Sequence, residues 1–118
     1  MKTIIAGSRS ITDLSVIYKA VEESGFTITE VVCGGARGVD SLGRKWAGNG
    51  NRIPVKLFLP DWANQGKSAG YKRNVEMANY ADALIAIWDG ISKGTQHMIN
   101  IAEQKGLKVF IYLYEPLS

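Results

Sequence analysis

The stretch EVVCGGARGVD at residues 30–40 decides the fold. It opens with an apolar run that is typical of a short buried strand. Three glycines follow that run closely: Gly34, Gly35 and Gly38. The next segment repeats apolar side chains at the spacing of one helical face: Val39, Leu42, Trp46 and Ala47. An apolar strand, a glycine-rich turn and an amphipathic helix in this order predict one strand–helix unit of a parallel sheet.

The same unit recurs along the rest of the chain. Further apolar runs typical of strands lie at residues 3–6, 55–59, 83–88 and 108–112. Helical patterns separate the strands, at residues 14–24, 39–47, 71–79 and 95–105, whereas the polar stretch 61–68 predicts a loop. Strands joined by crossover helices predict a single Rossmann-like α/β domain over residues 1–118. We expect a five-stranded parallel sheet in the order 3-2-1-4-5, with helices on both faces.

Local signals indicate where the helices begin and end. Ser10 and Asp13 stand at capping-box spacing, so we expect caps there for the first helix, and Gly25 is expected to end it. The third helix is expected to begin at Tyr71, which places Arg73 in its first turn. The helix dipole disfavours a cation at that end. An arginine in this position beside a predicted pocket suggests a functional role.

Composition bounds the class of protein. The chain has 118 residues, of which 46% are hydrophobic and 21% charged, close to an average soluble domain. The single cysteine, Cys33, lies in an apolar run and is expected to be a buried, inert thiol. No apolar run is long enough to span a bilayer and no signal peptide is visible, so we expect a cytoplasmic protein with no membrane partner. The net charge of +3 is too small to indicate a nucleic-acid protein by itself.

The unusual residues stand where the predicted strands end. Strand one runs into Gly-Ser-Arg at 7–9, strand two into residues 34–40, and strand four into residues 89–95. In the predicted order these strands are neighbours, so their loops are expected to converge on one pocket. Glycines let a ligand approach the backbone, and helix N-termini offer free N–H groups to an anion. The predicted ligand-binding residues are Gly7, Ser8, Arg9, Gly34, Gly35, Gly38, Asp40, Arg73, Asn74, Asp89, Ser92, Gly94 and Thr95.

Positive charge is concentrated after the predicted strands. Six of the fourteen cations fall in or near the segments that follow strands one to four: Arg9, Arg37, Lys67, Lys72, Arg73 and Lys93. This favours a phosphate-bearing ligand. Trp62 is expected to stack on a base or to cover the pocket. Ordinary turn chemistry explains any one glycine loop, and Asp40 alone could equally be a first-turn charge that stabilises its helix.

Other kinds of site find little support. Neither G-x-G-x-x-G nor G-x-x-x-x-G-K-[ST] occurs. His97 is the only histidine and no cysteine–histidine cluster exists, so no metal site and no cofactor are indicated. We expect His97 to be structural or solvated. Nothing resembles a nucleophile elbow.

Taken together, these motifs resemble the SLOG superfamily, which is named after the DNA-processing protein A (Smf) and Lonely Guy families. The matching segments are Gly-Ser-Arg at 7–9, the loop 34–40, Arg73-Asn74 with Met77, Ala81-Asp82, and Ser-Lys-Gly-Thr at 92–95. They cover nearly the whole chain in order and look most similar to the small YspA/YpsA-related SLOG proteins. The resemblance implies a Rossmann-like fold and a nucleotide or nucleotide-derived ligand.

The resemblance to Lonely Guy enzymes implies an alternative function as a nucleoside 5′-monophosphate phosphoribohydrolase, which releases the base. Arg73 matches a functional arginine of that family. The glutamate after Gly-Thr, however, corresponds to Met98 here, and a thioether neither accepts a proton nor stabilises a cationic centre by charge. Arg73, Glu76 and Asp89 remain as candidate catalytic residues. We therefore favour a binding protein, acting as a sensor or sequestering module, over an enzyme.

The DNA-processing branch implies a second alternative, a single-stranded DNA-binding protein. Its members look similar at Gly-Ser-Arg, at the loop 34–40 and at Arg73-Asn74. A net charge of +3 is compatible with weak nucleic-acid binding but does not demand it. The residues leave a homo-oligomer open.

Overall fold

Five parallel strands form one sheet in the computed structural model, which describes residues 1–35, 38–48, 50 and 52–114. The strands are β1 (Lys2–Gly7), β2 (Glu30–Cys33), β3 (Val55–Leu57), β4 (Ala83–Trp88) and β5 (Lys108–Leu113). Their order is β3-β2-β1-β4-β5, with β1 hydrogen-bonded to both β2 and β4. The predicted fold class and strand order are therefore confirmed.

The helices are α1 (Leu14–Ser24), α2 (Val39–Gly48), α3 (Trp62–Gln65), α4 (Ala69–Tyr80) and α5 (Lys93–Gln104). The short helix α3 and the 3₁₀ turn Gly66–Ser68 occupy the stretch that was predicted to be a loop. The carboxylate of Asp61 caps α3 by accepting the backbone N–H of Asn64 at 3.3 Å. A helix of four residues shows no hydrophobic period, which is why the pattern misses it.

One helix cap and one helix start differ from expectation. Asp13 is the N-cap of α1, with its carboxylate accepting the N–H of Ser15 at 3.0 Å, and Ser10 stands outside the helix. The helix α4 begins at Ala69, two residues before the predicted start, because it follows directly on the 3₁₀ turn. Arg73 therefore lies in the second turn, where the dipole effect has largely fallen off. At this position the helix dipole gives no reason to assign Arg73 a functional role, which corrects the expectation from the sequence.

The core lies in two layers, one on each face of the sheet. Alternate side chains of a strand point to opposite faces. On one face, Ile5 and Ile85 pack with α1 and α2, and on the other, Ile4 and Leu84 pack with α4 and α5. Cys33 is fully buried in the first layer, and burial raises the pKa of its thiol to about 11. The thiol is therefore protonated at neutral pH, as an inert core cysteine should be.

The helices of the described part of the chain are all too short or too polar to cross a membrane. Parallel pairing brings the carboxyl ends of β2, β1 and β4 to one edge of the sheet. The functional candidates of the sequence follow these three strand ends.

Candidate functional site

A cleft with a volume of about 530 Å³ opens at the carboxyl edge of the sheet. The loops after β1 and β4, the first turns of α2 and α5, and the segment from α3 to α4 enclose it. Ten of the residues predicted from the sequence line this cleft: Gly7, Ser8, Arg9, Asp40, Arg73, Asn74, Asp89, Ser92, Gly94 and Thr95. The structure therefore brings together loops that are far apart in the chain.

Ser8 joins three of the elements around the cleft. Its N–H donates to the carbonyl of Ile87 at 3.2 Å, and its hydroxyl oxygen accepts the N–H of Asp89 at 3.2 Å. Its own carbonyl accepts the N–H of Val39 at 3.4 Å. Ser8 is only 2% exposed, so these contacts hold the end of β1, the loop after β4 and the start of α2 in fixed relation.

Two glycines allow the loops to pack this closely. A Cβ on Gly7 would lie 2.9 Å from the carbonyl carbon of Ile87, so the neighbouring strand leaves no room for it. Gly38 has a φ of +72°, and a Cβ there would lie 2.5 Å from the carbonyl oxygens of Ser8 and Arg9. Gly38 lies outside the cleft lining, and its role in the structure is loop packing.

Two hydrogen bonds anchor the guanidinium of Arg73. Its Nη1 donates to the carbonyl of Gly34 at 2.6 Å, and its Nε donates to Oδ1 of Asn74 at 3.2 Å. Neither bond uses Nη2. Burial lowers the pKa of the guanidinium, partly offset by the negative charge of Asp40, and an arginine stays protonated throughout the physiological range. The side chain is thus a fixed cation in the wall of the cleft.

Gly34 connects Arg73 to Asp40 without lining the cleft itself. Its N–H donates to Oδ2 of Asp40 at 3.1 Å, while its carbonyl accepts from Arg73. Asp40 is 5% exposed, so its carboxylate is nearly buried. A Cβ on Gly34 would lie 2.6 Å from Cζ of Arg73, so only glycine leaves room for this arrangement. Gly35 is exposed and lies outside the lining.

Asn74 links α4 to the start of α5. Its Nδ2 lies 3.1 Å from Nδ1 of His97 and 3.4 Å from the carbonyl of Gly94. The ring of Tyr71 packs on His97, with 4.4 Å between centroids. Burial lowers the pKa of His97. The sequence did not indicate these contacts, because the partners lie on different helices and no local spacing connects them.

Asp89 shapes the loop that leads into α5. Its Oδ1 accepts the N–H groups of Ile91 at 2.9 Å and Ser92 at 2.8 Å, and these bonds lower the pKa of the carboxyl. At the end of this loop the hydroxyl of Thr95 donates to the hydroxyl oxygen of Ser92 at 3.2 Å. The first N–H groups of a helix have no partner within it, so the start of α5, which lines the cleft, offers backbone donors.

The outer rim of the cleft is aromatic and cationic. Trp62 from α3 is 52% exposed and Tyr71 from α4 is 48% exposed, and Lys67 lies between them in the chain. The other predicted cations are placed differently: Lys72 and Lys93 lie outside the lining, and Arg37 falls outside the described residues. Glu76 is exposed on α4 and is also outside the lining. Across the described residues, no three His, Cys, Asp or Glu side chains are grouped to hold a metal ion.

A parallel five-stranded sheet whose strand ends form a glycine-bounded cleft defines a Rossmann-like α/β protein. The family model for the YspA, cpYpsA-related SLOG family matches residues 1–64, which is more than half of the chain. The chain belongs to this family.

Two further comparisons find similar proteins. The Gene 61 protein of Mycobacterium phage D29 is 33% identical over 124 aligned positions, which cover 98% of each chain. The structure of DNA processing protein A from Streptococcus pneumoniae superposes with a TM-score of 0.76 at 17% identity, over 98% of this chain. This chain spans 51% of that protein's chain, so the likeness is one of fold.

Proposed function

We propose that the chain binds a nucleotide or a nucleotide-derived phosphorylated ligand in the cleft, and acts as a sensor or sequestering module. The observation that carries this proposal is Arg73, a fixed guanidinium whose Nη2 is used by neither of its anchoring bonds. Planar guanidinium groups bind phosphate oxygens strongly and with defined geometry. The volume of about 530 Å³ lies within the range of roughly 300–1,000 Å³ that is usual for small-molecule sites.

The cleft lining offers two kinds of group, which suit the two parts of a nucleotide. Arg73, the exposed Arg9 and the first turn of α5 provide positive charge and backbone donors for phosphate. Trp62 and Tyr71 provide aromatic faces on which a base could stack. Stacking is tolerant of base identity, so these residues support a nucleotide without selecting one base.

The carboxylates of the cleft support binding better than base release. Asp40 and Asp89 both line it. Asp40 accepts the backbone N–H of Gly34, and Asp89 accepts two backbone N–H groups that lower its pKa. Met98, which stands where the related hydrolases have a glutamate, lines the cleft and is 1% exposed. We therefore propose binding without turnover. Incubation with nucleoside 5′-monophosphates should release no free base, and turnover abolished by Arg73→Ala would contradict this.

A second candidate function is the binding of single-stranded nucleic acid. Lys67 and Lys72 are exposed along the same segment as Trp62 and Tyr71, and such a mixture of cations and aromatic faces suits unpaired bases. We expect this binding to be weak and to weaken steeply with salt, because it relies on phosphate contacts. Tight binding of an oligonucleotide that survives about 0.15 M salt would favour this candidate over the first.

Thermal-shift screening followed by calorimetry tests the first candidate. Mononucleotides, dinucleotides and cyclic nucleotides are added to the wild-type chain and to Arg73→Ala. The control is Lys72→Ala, which removes the same charge from the adjacent position but lies outside the cleft lining. We expect a ligand to raise the melting temperature of wild type and of Lys72→Ala, and to have little effect on Arg73→Ala. Equal responses of the two variants would refute the assigned role of Arg73.

A further inference from the structure

The hydrogen bonds around Asn74 determine which way its amide points. Arg73 Nε is only a donor, so the atom of Asn74 that faces it must be the carbonyl oxygen. The carbonyl of Gly94 is only an acceptor, so the atom facing it must be the NH₂ group. Two neighbours on different elements thus demand the same orientation. The side chain is 5% exposed, so water offers it little alternative.

This orientation determines the state of His97. The NH₂ group of Asn74 is also the group that faces Nδ1 of His97, at 3.1 Å. Because NH₂ only donates, Nδ1 must accept and cannot carry a proton. The imidazole is therefore neutral and carries its hydrogen on Nε2. The lowered pKa of His97 agrees with this state.

We propose that His97 is a positioning residue for the cleft: its neutral imidazole holds Asn74, and through it Arg73, while supporting the ring of Tyr71, and protonation of the imidazole releases them. The contacts form one continuous series from Tyr71 through His97 and Asn74 to Arg73. Because Tyr71 and Arg73 both line the proposed ligand site, the consequence for binding rests on the proposed function.

Protonation has two structural outcomes, and both disturb the cleft. A proton on Nδ1 of His97 makes it a donor that faces another donor, the NH₂ group of Asn74. If Asn74 turns over, it loses its bonds to Arg73 and Gly94. If the imidazole swings away instead, the ring of Tyr71 loses its packing partner. Neither change requires the sheet to move.

Three elements carry the charged and titratable groups around His97: α4, α5 and the sheet beneath α5. Those on α4 and on α5 within about one turn of the contact are Tyr71, Lys72, Arg73, Glu76 and Lys93. In the sheet under α5, Lys2 and Lys108 stand at the amino ends of β1 and β5, at the edge away from the cleft. Tyr112 packs on the face of the sheet that α1 and α2 cover. Burial is the cause of the lowered pKa of His97, and none of these charged groups contributes to the shift.

Nuclear magnetic resonance tests the proposal without any ligand. His97 is the only histidine, so its ring signals need no assignment among others. We expect the Nε2–H tautomer, a pKa below 6.5, and movement of the Arg73 Nε and Tyr71 ring signals with the same midpoint. An Nδ1–H tautomer, a pKa at or above 6.5, or Arg73 and Tyr71 signals that ignore the midpoint would each overturn the proposal.

Two variants separate positioning from a merely structural role. Asn74→Asp places a carboxylate between Arg73 and His97. The pKa of His97 should rise above that of wild type, because the carboxylate can accept a hydrogen bond from a protonated Nδ1. His97→Asn retains an acceptor at the position of Nδ1 but does not titrate there. In that variant the pH-dependent movement of the Arg73 Nε signal should disappear. An unchanged His97 pKa in the first variant, or persistent movement in the second, would refute the linkage.

The binding consequence needs a probe of constant charge, since a phosphomonoester itself titrates with a pKa of about 6. Adenosine 3′,5′-cyclic monophosphate is a phosphodiester and avoids this problem. We expect its affinity for wild type to fall from pH 7.5 to pH 5.5 in proportion to the protonated fraction of His97 found in the ligand-free titration, and the slope to flatten in His97→Asn. If the probe fails to bind at any pH, the proposed function loses support, while the ligand-free titration still decides the role of His97.

Discussion

Gly34→Ala should remove the anchor of Arg73 while leaving the fold intact. The new Cβ would lie 2.6 Å from Cζ of Arg73, so the guanidinium must leave its place. The displaced group is the end of a flexible side chain, and Gly34 does not have a positive φ, so the backbone itself accepts alanine. The side chain of Arg73 should therefore move, while the backbone of the sheet stays in place.

The size of the effect follows from the hydrogen bond that is lost. A bond from a charged donor contributes about 1.5–3 kcal/mol, part of which the half-buried arginine recovers from water. Replacing glycine by alanine restricts the unfolded chain and returns roughly 0.4–1 kcal/mol. The free energy of unfolding should thus fall by about 1–2 kcal/mol. Ligand affinity should fall about 10- to 100-fold, since Arg73 no longer points at the phosphate.

Urea unfolding measures the first quantity and calorimetric titration with the ligand from the screen measures the second. Gly48→Ala is the matched control, because it lies at the end of α2 with nothing within 4 Å of the added Cβ. Gly7→Ala is the opposite case, since its Cβ meets the backbone of Ile87, and should cost about 2–3 kcal/mol of stability. If Gly34→Ala binds ligand as wild type does, the assigned positioning of Arg73 is refuted.

Three further outcomes are expected. Asp89→Ala should lower the free energy of unfolding by about 1 kcal/mol in chemical denaturation, because the N–H groups of the loop before α5 lose their acceptor. Asp89→Asn keeps an acceptor oxygen there and should lower it by less. Trp62→Ala should change stability by less than about 0.5 kcal/mol, since the side chain is 52% exposed, but should weaken ligand binding and abolish any ligand-induced fluorescence change that Trp62 carries. Stability should fall as pH drops below 6.5, because the unfolded chain takes up a proton on His97 more readily than the folded chain does, and thermal melts of His97→Asn should show a shallower fall.

The fold was predictable because its signals are local and repeated. Each strand is a short apolar run, each crossover is a helix with one apolar face, and right-handed crossovers leave few arrangements of such units. The elements that the pattern missed are those too short to show a period, above all α3 with its four residues. The early start of α4 was missed for a different reason, because the 3₁₀ turn precedes it without a break.

The location of the site was predictable, but the roles of its residues were not. Neighbouring strands must bring their end loops together, so strand order alone placed Ser8, Asp89 and Thr95 near one another. Sequence does not show what surrounds a glycine. Gly34 and Gly38 lie outside the cleft lining and make room for Arg73 and for the carbonyls of Ser8 and Arg9. Likewise the contact between Asn74 and His97 depends on the packing of two helices and has no sequence pattern.

Chemical-shift mapping on ¹⁵N-labelled protein with adenosine 5′-monophosphate and then guanosine 5′-monophosphate tests the central claim most directly. If the cleft is the binding site, saturable shifts should concentrate on Arg73 Nε and on the backbone amides of Ser8 and Thr95, and Arg73→Ala should abolish them. Saturable shifts centred on residues away from the cleft, or no shifts with either nucleotide at millimolar concentration, would contradict the account.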